Sequence, residues 1–331
     1  MRVLFIGGTS FVGRHMAAEA LARGHDVTLF HRGKTNPDLF PNAEHVLGDR
    51  ATDLASLSDR TWDAALDVCA YVPREVRQAG EVLAGSVERY LYVSSVSAYR
   101  ATDRAITAEN APLQGPGDLD DAKTEDVTNE TYGPLEAMCE AAAGAAFPGR
   151  TIVLRPTYVV GPHDSTDRFT YWVRRAAAGG DVIAPGPPEG PMQLIDARDL
   201  GAFALDLVER GELGAFNGAG PAEPLSWAEM IAACMETVGH EAVLTWVEPG
   251  FLEGQGIDVG SSFPLWEDGT EASLMRCDLR KSLAAGLRLR PLADTIRDTA
   301  AWDRERGTPP LRVGIDRARE SDLLDAWRLR L

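Results

Sequence analysis

From residue 1 to about residue 160, short apolar runs rich in β-branched residues alternate with segments of helical period. This alternation predicts βαβ units and a parallel sheet. The predicted strands are 2–6, 26–30, 44–47, 64–68, 90–94 and 151–155, with helices at 11–23, 73–84 and 133–146 between them. Each intervening segment has the length of an ordinary right-handed crossover. The fold class that follows is α/β with a doubly wound parallel sheet.

Between 102 and 131 the pattern lapses into an acidic stretch holding Asp103, Glu109, Asp118, Asp120, Asp121, Glu125, Asp126 and Glu130, broken by Gly115-Pro116-Gly117. A loop of this kind is either a lid or binding loop or a solvated surface excursion. Beyond Arg155 the chain turns rich in Gly and Pro, at Gly179-Gly180 and Pro185-Gly186-Pro187-Pro188. The apolar run 192–195 reads as a late strand rejoining the first domain. Ser226-Trp227-Ala228-Glu229 reads as a capping box that opens a helix, and 291–306 reads as another helix. A length of 331 residues exceeds what one core usually serves. The predicted division is therefore a first domain over 1–165, with 191–218 returning to it, and a smaller C-terminal α/β substrate lobe made of 166–190 and 219–331.

Hydrophobic residues make up 44% of the chain and charged residues 25%, an ordinary globular balance. No apolar stretch approaches the ~20 residues of a membrane helix, and the apolar start at Val3 is cut off by Gly7-Gly8. A soluble, cytoplasmic protein without a membrane partner is expected. The net charge of −17 repels polyphosphate, so no nucleic-acid partner is expected either. Cys69, Cys139, Cys234 and Cys277 are scattered, with no CxxC pair and no His at ligand spacing, and read as reduced packing residues rather than a metal site.

Candidate chemistry begins at Gly7-Gly8-Thr9-Ser10-Phe11-Val12-Gly13, which follows the first strand and enters the first helix. That is the context of a dinucleotide fingerprint, in which backbone N–H groups approach a pyrophosphate at a helix N-terminus. The spacing is GxxSxxG, with Ser10 in the middle glycine's place, and it points to a Rossmann-type domain. The second strand closes on Phe30-His31-Arg32, with Lys34 beyond and Arg14 just after the loop. An acid at that point selects NAD, whereas cations accommodate a 2′-phosphate, so NADP is expected over NAD. Asp49, in Gly48-Asp49-Arg50, either accepts a hydrogen bond from an adenine amine or caps the following turn.

Together with this loop, four further segments resemble the extended short-chain dehydrogenase/reductase superfamily, in its epimerase/dehydratase branch. They are Tyr92-Val93-Ser94-Ser95-Val96-Ser97-Ala98-Tyr99, Tyr132-Gly133-Pro134-Leu135-Glu136, the stretch from Leu154-Arg155-Pro156 to Gly161-Pro162, and Gln193-Leu194-Ile195-Asp196-Ala197-Arg198-Asp199-Leu200. The resemblance implies that Ser95 orients a substrate oxygen and that Tyr132 exchanges a proton with it while hydride moves to or from nicotinamide. It implies a cofactor groove lined by Gly7, Thr9, Ser10, Phe11, Val12, Gly13, His31, Arg32, Asp49, Arg50, Cys69, Ala70 and Pro156. A small-molecule substrate and a homodimer are the partners it admits. Plastid RNA-binding proteins resemble the superfamily as well, and the net charge speaks against that role here.

Glu136 stands where the superfamily carries lysine. A carboxylate one helical turn from Tyr132 is expected to raise the phenol pKa rather than lower it. Three roles stay open. Glu136 hydrogen-bonds the cofactor ribose while Tyr132 acts as a neutral acid fed by a second proton source through water. Or the chain has abandoned hydride transfer and senses dinucleotide. Or another cation fills the vacancy, Lys123 being the lysine near in sequence. On the substrate side, Arg168 is the candidate for an anionic group. The leading expectation is an NADP-preferring oxidoreductase that reduces the carbonyl of a small metabolite. The alternatives are a nucleotide-sugar epimerase/dehydratase and a non-catalytic dinucleotide-binding protein.

Overall fold

The computed structural model describes residues 1–101, 107–119, 125–239, 242–269 and 272–330. Six of the strands are β1 (Arg2–Ile6), β2 (Asp26–His31), β3 (Glu44–Leu47), β4 (Trp62–Asp67), β5 (Val87–Val93) and β6 (Thr151–Pro156). With a seventh strand, Gly214–Gly218, they form one parallel sheet ordered β3-β2-β1-β4-β5-β6 and then Gly214–Gly218. The order reverses between β1 and β4, where Val3 pairs with both Val27 and Ala64. Crevices outside the strand ends at such a reversal are where open α/β sheets hold ligands.

Strand alternation explains why both faces are covered. Val3, Phe5, Val27, Leu29 and Leu91 enter one core, which is closed by α1 (Phe11–Ala22) through Met16 and Ala20. Leu4, Ile6, Phe30, Tyr90 and Tyr92 enter the other, closed by α2 (Pro73–Leu83) through Val76 and Ala79 and by α3 (Asn129–Ala146) through Cys139 and Ala143. Near-continuous apolar strands are what a doubly covered parallel sheet requires. The strand β7 (Tyr158–Val160) leads into α4 (Arg168–Ala177) and β8 (Gly180–Pro185). The helix α5 (Ala197–Arg210) packs beside α1 on the first core, while α6 (Trp227–Val238) joins α4 in a separate core built on Phe169, Trp172, Val182, Trp227, Ile231 and Ile296. Among the described residues, no helix is long and apolar enough to cross a membrane.

Three departures from the sequence pattern have physical causes. The run expected as a late strand, 192–195, forms Leu194–Asp196, which sends Ile195 into the first core but pairs in parallel with β7 as a separate two-stranded ribbon. The seventh strand is instead Gly214–Gly218, sequence GAFNG, whose glycines and Asn hide it from any propensity reading. The segment after residue 272 returns to the first core, to which Cys277, Leu279, Ala285 and Leu287 belong, and the Ser282 hydroxyl donates to the Asn217 carbonyl at 2.7 Å. Finally, α3 begins a turn earlier than 133, at Asn129, because Thr128 caps it and accepts from the Thr131 N–H at 3.3 Å. Pro134 thus lies inside the helix rather than in its first turn. The capping box at Ser226 is present, with the Glu229 N–H donating to Ser226 Oγ at 3.1 Å, and the helix expected over 291–306 spans Leu292–Glu305.

Candidate active site

The nucleotide end is built from β1, its glycine turn and α1. Ser10 is the N-cap of α1 yet makes no side-chain bond to the first turn, so the N–H groups of that turn face the crevice. A Cβ on Gly13 would sit 2.9 Å from the Gly8 nitrogen, so only glycine lets the helix approach the turn this closely. Gly7, Thr9, Ser10, Phe11, Val12, Gly13, His31, Arg32, Asp49, Arg50 and Cys69 all line one cavity of about 520 Å³. The bare helix N-terminus and the cradle of small residues fit a dinucleotide pyrophosphate.

The side chains at this end are not equally available. Gly33 N–H donates to His31 Nδ1 at 3.1 Å, which places the His31 proton on Nε2, facing His45 Nδ1 at 2.8 Å. Burial, and then the neighbouring His45, holds His31 below the ordinary imidazole range, so it is a neutral strut. Arg32 and Lys34 remain as exposed cations. Arg50 is committed to Asp67 through bonds of 2.7 and 3.0 Å. Asp49 accepts from the Ala51 N–H at 3.0 Å and so caps its own turn. Burial pushes the Cys69 thiol up to about 11, so it lines the groove as an inert thiol.

A second cavity, about 320 Å³, shares Phe11, Val12, Val68, Tyr71 and Thr166 with the first. Ser95, Tyr132, Glu136, Ala70, Pro156 and Arg168 all line it. Ser95 lies just past β5 and caps the short turn Val96–Ala98, its Oγ accepting from the Ser97 N–H at 3.1 Å. Close packing sets Tyr132 against it: a Cβ on Gly133 would lie 2.3 Å from the Ser97 carbonyl oxygen, so α3 rests directly on that turn. The Tyr132 hydroxyl interacts with both Ser95 and Glu136. Its pKa is raised by burial first and by Glu136 second, with Ser95 opposing. The upward direction agrees with the expectation from sequence, although burial rather than charge is the larger cause.

Glu136 is 2% exposed, and burial pushes its carboxyl up to about 8, against the opposing hydrogen bonds of Tyr92 and Tyr132. The direction favours the neutral form of the Glu136 carboxyl. Tyr92 Oη lies 2.5 Å from Glu136 Oε2 and 3.2 Å from the Ala70 carbonyl oxygen. One turn further along α3, Glu140 accepts two bonds from Arg155, at 2.8 and 2.5 Å, and one from the Ser94 hydroxyl at 2.6 Å. The Arg155 guanidinium also lies 4.6 Å over the Tyr99 ring. Lys123, the cation considered for the vacancy beside Tyr132, lies outside the described residues, as do Asp103, Asp120 and Asp121. Of the other acidic-loop residues, Asp118 pairs with Arg100 and Glu125 with Arg74.

Arg168 opens α4 at the far wall of the same cavity, its Nε donating to Thr166 Oγ1 at 3.2 Å and its guanidinium 5.3 Å from the Tyr158 ring centroid. The Tyr158 hydroxyl donates to Glu267. Sequence reading assigned no role to Tyr92, Tyr158 or Glu267. The signal for Tyr92 was present in the strand period, since Tyr90 and Tyr92 share the face that α3 covers. Glu267 is far along the chain, and no local pattern marks it.

The chain matches the NAD dependent epimerase/dehydratase family over residues 3–217. It is 27% identical over 237 residues to the chloroplast stem-loop binding protein of 41 kDa b of Arabidopsis thaliana, an alignment covering 66% of this chain and 58% of that protein. The chain thus spans less than two thirds of that relative's length. It is also 27% identical over 266 residues to the epimerase family protein SDR39U1 of Bos taurus, covering 74% of this chain and 83% of that one. Among solved structures it superposes on the UDP-glucuronic acid 4-epimerase of Bacillus cereus in complex with NAD. The TM-score is 0.68 at 15% identity, over 92% of this chain and 97% of that chain, a likeness of fold.

Proposed function

The chain belongs to the NAD-dependent epimerase/dehydratase family, and within it we propose that the protein is an NAD(P)-dependent oxidoreductase reducing the carbonyl of a small metabolite. The observation that carries this reading is the meeting of Ser95 and Tyr132 where the nucleotide groove opens into the second cavity. In this reading the α1 N-terminus and its glycine turn hold the pyrophosphate, and the bound dinucleotide supplies hydride. Ser95 orients the substrate oxygen and Tyr132 donates a proton to it. A phenol whose pKa is raised holds its proton until the substrate oxygen gains charge, which suits donation better than abstraction. This weighs against sugar epimerisation as the second reading, because that reaction needs the same tyrosine as base and as acid.

Arg168, across the cavity, is the side chain that would receive an anionic group of the substrate. Arg32 and Lys34 favour the 2′-phosphate of NADP, although the solved relative named above holds NAD. The net charge of −17 argues against a nucleic-acid partner. Calorimetry with NADPH and NADH, followed by hydride transfer from the tighter binder to a panel of small aldehydes and ketones, tests the reading. A protein that binds the dinucleotide and transfers hydride to none of the panel would be a sensor and not an enzyme.

A further inference from the structure

Behind Tyr132, one turn further along α3 and on the same cavity, lies the buried carboxyl of Glu136. Tyr92 has one hydroxyl proton and two oxygen neighbours, the Ala70 carbonyl at 3.2 Å and Glu136 Oε2 at 2.5 Å. A backbone carbonyl only accepts. The shorter contact takes that proton, so Tyr92 donates to Glu136 Oε2 and fixes the carboxyl beside Tyr132.

The surroundings of Glu136 favour a protonated carboxyl. From α3 it faces Tyr132, Cys139 and Glu140, and from β5 and its end Tyr92 and Ser94. Tyr71, which is itself influenced by Glu75 of α2, approaches from the loop after β4. Arg155 of β6 is committed to Glu140. Among the described residues no ion pair involves Glu136, and a carboxyl so buried without a cation keeps its proton. Its pKa of about 8 agrees.

We propose that Glu136 is the proton store of this site, a carboxylic acid that re-protonates Tyr132 after Tyr132 has given its proton to a substrate oxygen. This rests on the reading of the site as a carbonyl reductase. The carbonyl carbon takes a hydride, with two electrons, from the reduced nicotinamide dinucleotide. The carbonyl oxygen takes the Tyr132 proton as the phenol O–H bond breaks. The tyrosinate then takes the Glu136 proton, and the carboxylate left behind is held by the hydroxyls of Tyr92 and Tyr132. Water entering the cavity as product leaves returns one proton to Glu136. The sum is carbonyl, reduced dinucleotide and one proton giving alcohol and oxidised dinucleotide.

Infrared titration of the full-length protein without dinucleotide reads the proton directly. The expected result is a protonated-carboxyl stretching band at neutral pH that titrates near pH 8, is absent in Glu136→Gln and persists in Tyr132→Phe. Thermal melts give a second readout. A folded pKa above the unfolded value of about 4.3 means that stability from this group is complete below that value and is lost as pH rises toward 8, so the wild-type Tm should decline over that window relative to Glu136→Gln. In turnover, Glu136→Gln should slow carbonyl reduction by about 10- to 100-fold, less than the roughly 10²–10⁴-fold for loss of Tyr132, and should lose the alkaline limb near pH 8. No band at neutral pH overturns the proposal, as does a wild type and Glu136→Gln of equal rate and pH profile. A band at neutral pH in a protein that binds reduced dinucleotide but transfers no hydride overturns the reductase reading, and the relay falls with it.

Discussion

Arg32 and His31 are neighbours in sequence, yet the fold separates their roles. The His31 ring is tied to Gly33 and His45, while Arg32 stands exposed at the same end of the groove. In the proposed reading the choice between dinucleotides therefore falls on Arg32 with Lys34. Arg32→Asp is expected to weaken NADPH binding by roughly 10- to 100-fold, the worth of one charge-assisted hydrogen bond, and to reverse the order of NADPH and NADH. Calorimetry on both cofactors decides this, and equal affinities in the wild type remove the argument. At the other end, Ser95→Ala and Tyr132→Phe should each cut turnover by about 10²–10⁴-fold while leaving dinucleotide affinity nearly unchanged, because both residues line the second cavity, which the proposed reading gives to the substrate. Unchanged turnover in both variants would mean that neither hydroxyl works on the substrate.

The helix α3 carries Tyr132 and Glu136 on successive turns, so its placement sets the geometry of the proposed relay. Its seat on the turn after β5 depends on Gly133, whose Cβ position is occupied by the Ser97 carbonyl oxygen at 2.3 Å and Gln114 Nε2 at 2.4 Å. Gly133→Ala must push the helix off that turn. An overpacking cost of about 1–3 kcal/mol is expected, together with a fall in kcat as Tyr132 moves from Ser95. Denaturant titration and steady-state kinetics on the same variant check both. A variant that lost stability and kept its kcat would show that the Ser95–Tyr132 approach does not control the reaction.

Arginine–aspartate pairs hold the second core together and tie it to α5 of the first. Arg198 of α5 bonds Asp196 at 2.7 Å and Asp298 at 2.5 Å and Arg290 bonds Asp199 of α5 at 2.7 Å, while within the second core Arg174 bonds Asp303 at 2.6 Å. Burial alone would raise Asp196 and Asp303, but the bonds from Arg198 to one and from Arg174 and Arg306 to the other hold both below the ordinary carboxylate range. A depressed folded pKa contributes stability that is present above the unfolded value, about 3.9, and is lost as pH falls through the folded one. The expected outcome is a Tm that drops below about pH 4, with a shallower acid slope in Asp303→Asn than in the wild type. Differential scanning calorimetry between pH 3 and 6 measures it, and parallel slopes in the two proteins would exclude these pairs as the cause.

Strand runs such as RVLFI and the glycine turn after them determined by themselves that this chain builds a parallel α/β sheet with a nucleotide crevice at its start. Apolar period and missing side chains are local properties, and they act over a few residues. Tyr132 and Ser95 were legible for the same reason, since each sits in a short contiguous motif, and the departure at Glu136 was visible against it. The partners of Glu136 were not. Tyr92 reaches it across 44 residues of chain and the Glu140–Arg155 pair closes across 15. Sequence spacing does not say which of two acids meets the arginine. GAFNG became the seventh strand because β6 offered it an open edge and residues 277–287 covered it, not through any preference of its own. His31 is held below the ordinary imidazole range by burial first, and then by His45, which came to lie beside it on the next strand. Tertiary structure decided these points because protonation and pairing depend on burial and on partners brought from elsewhere in the chain, which the local sequence does not contain.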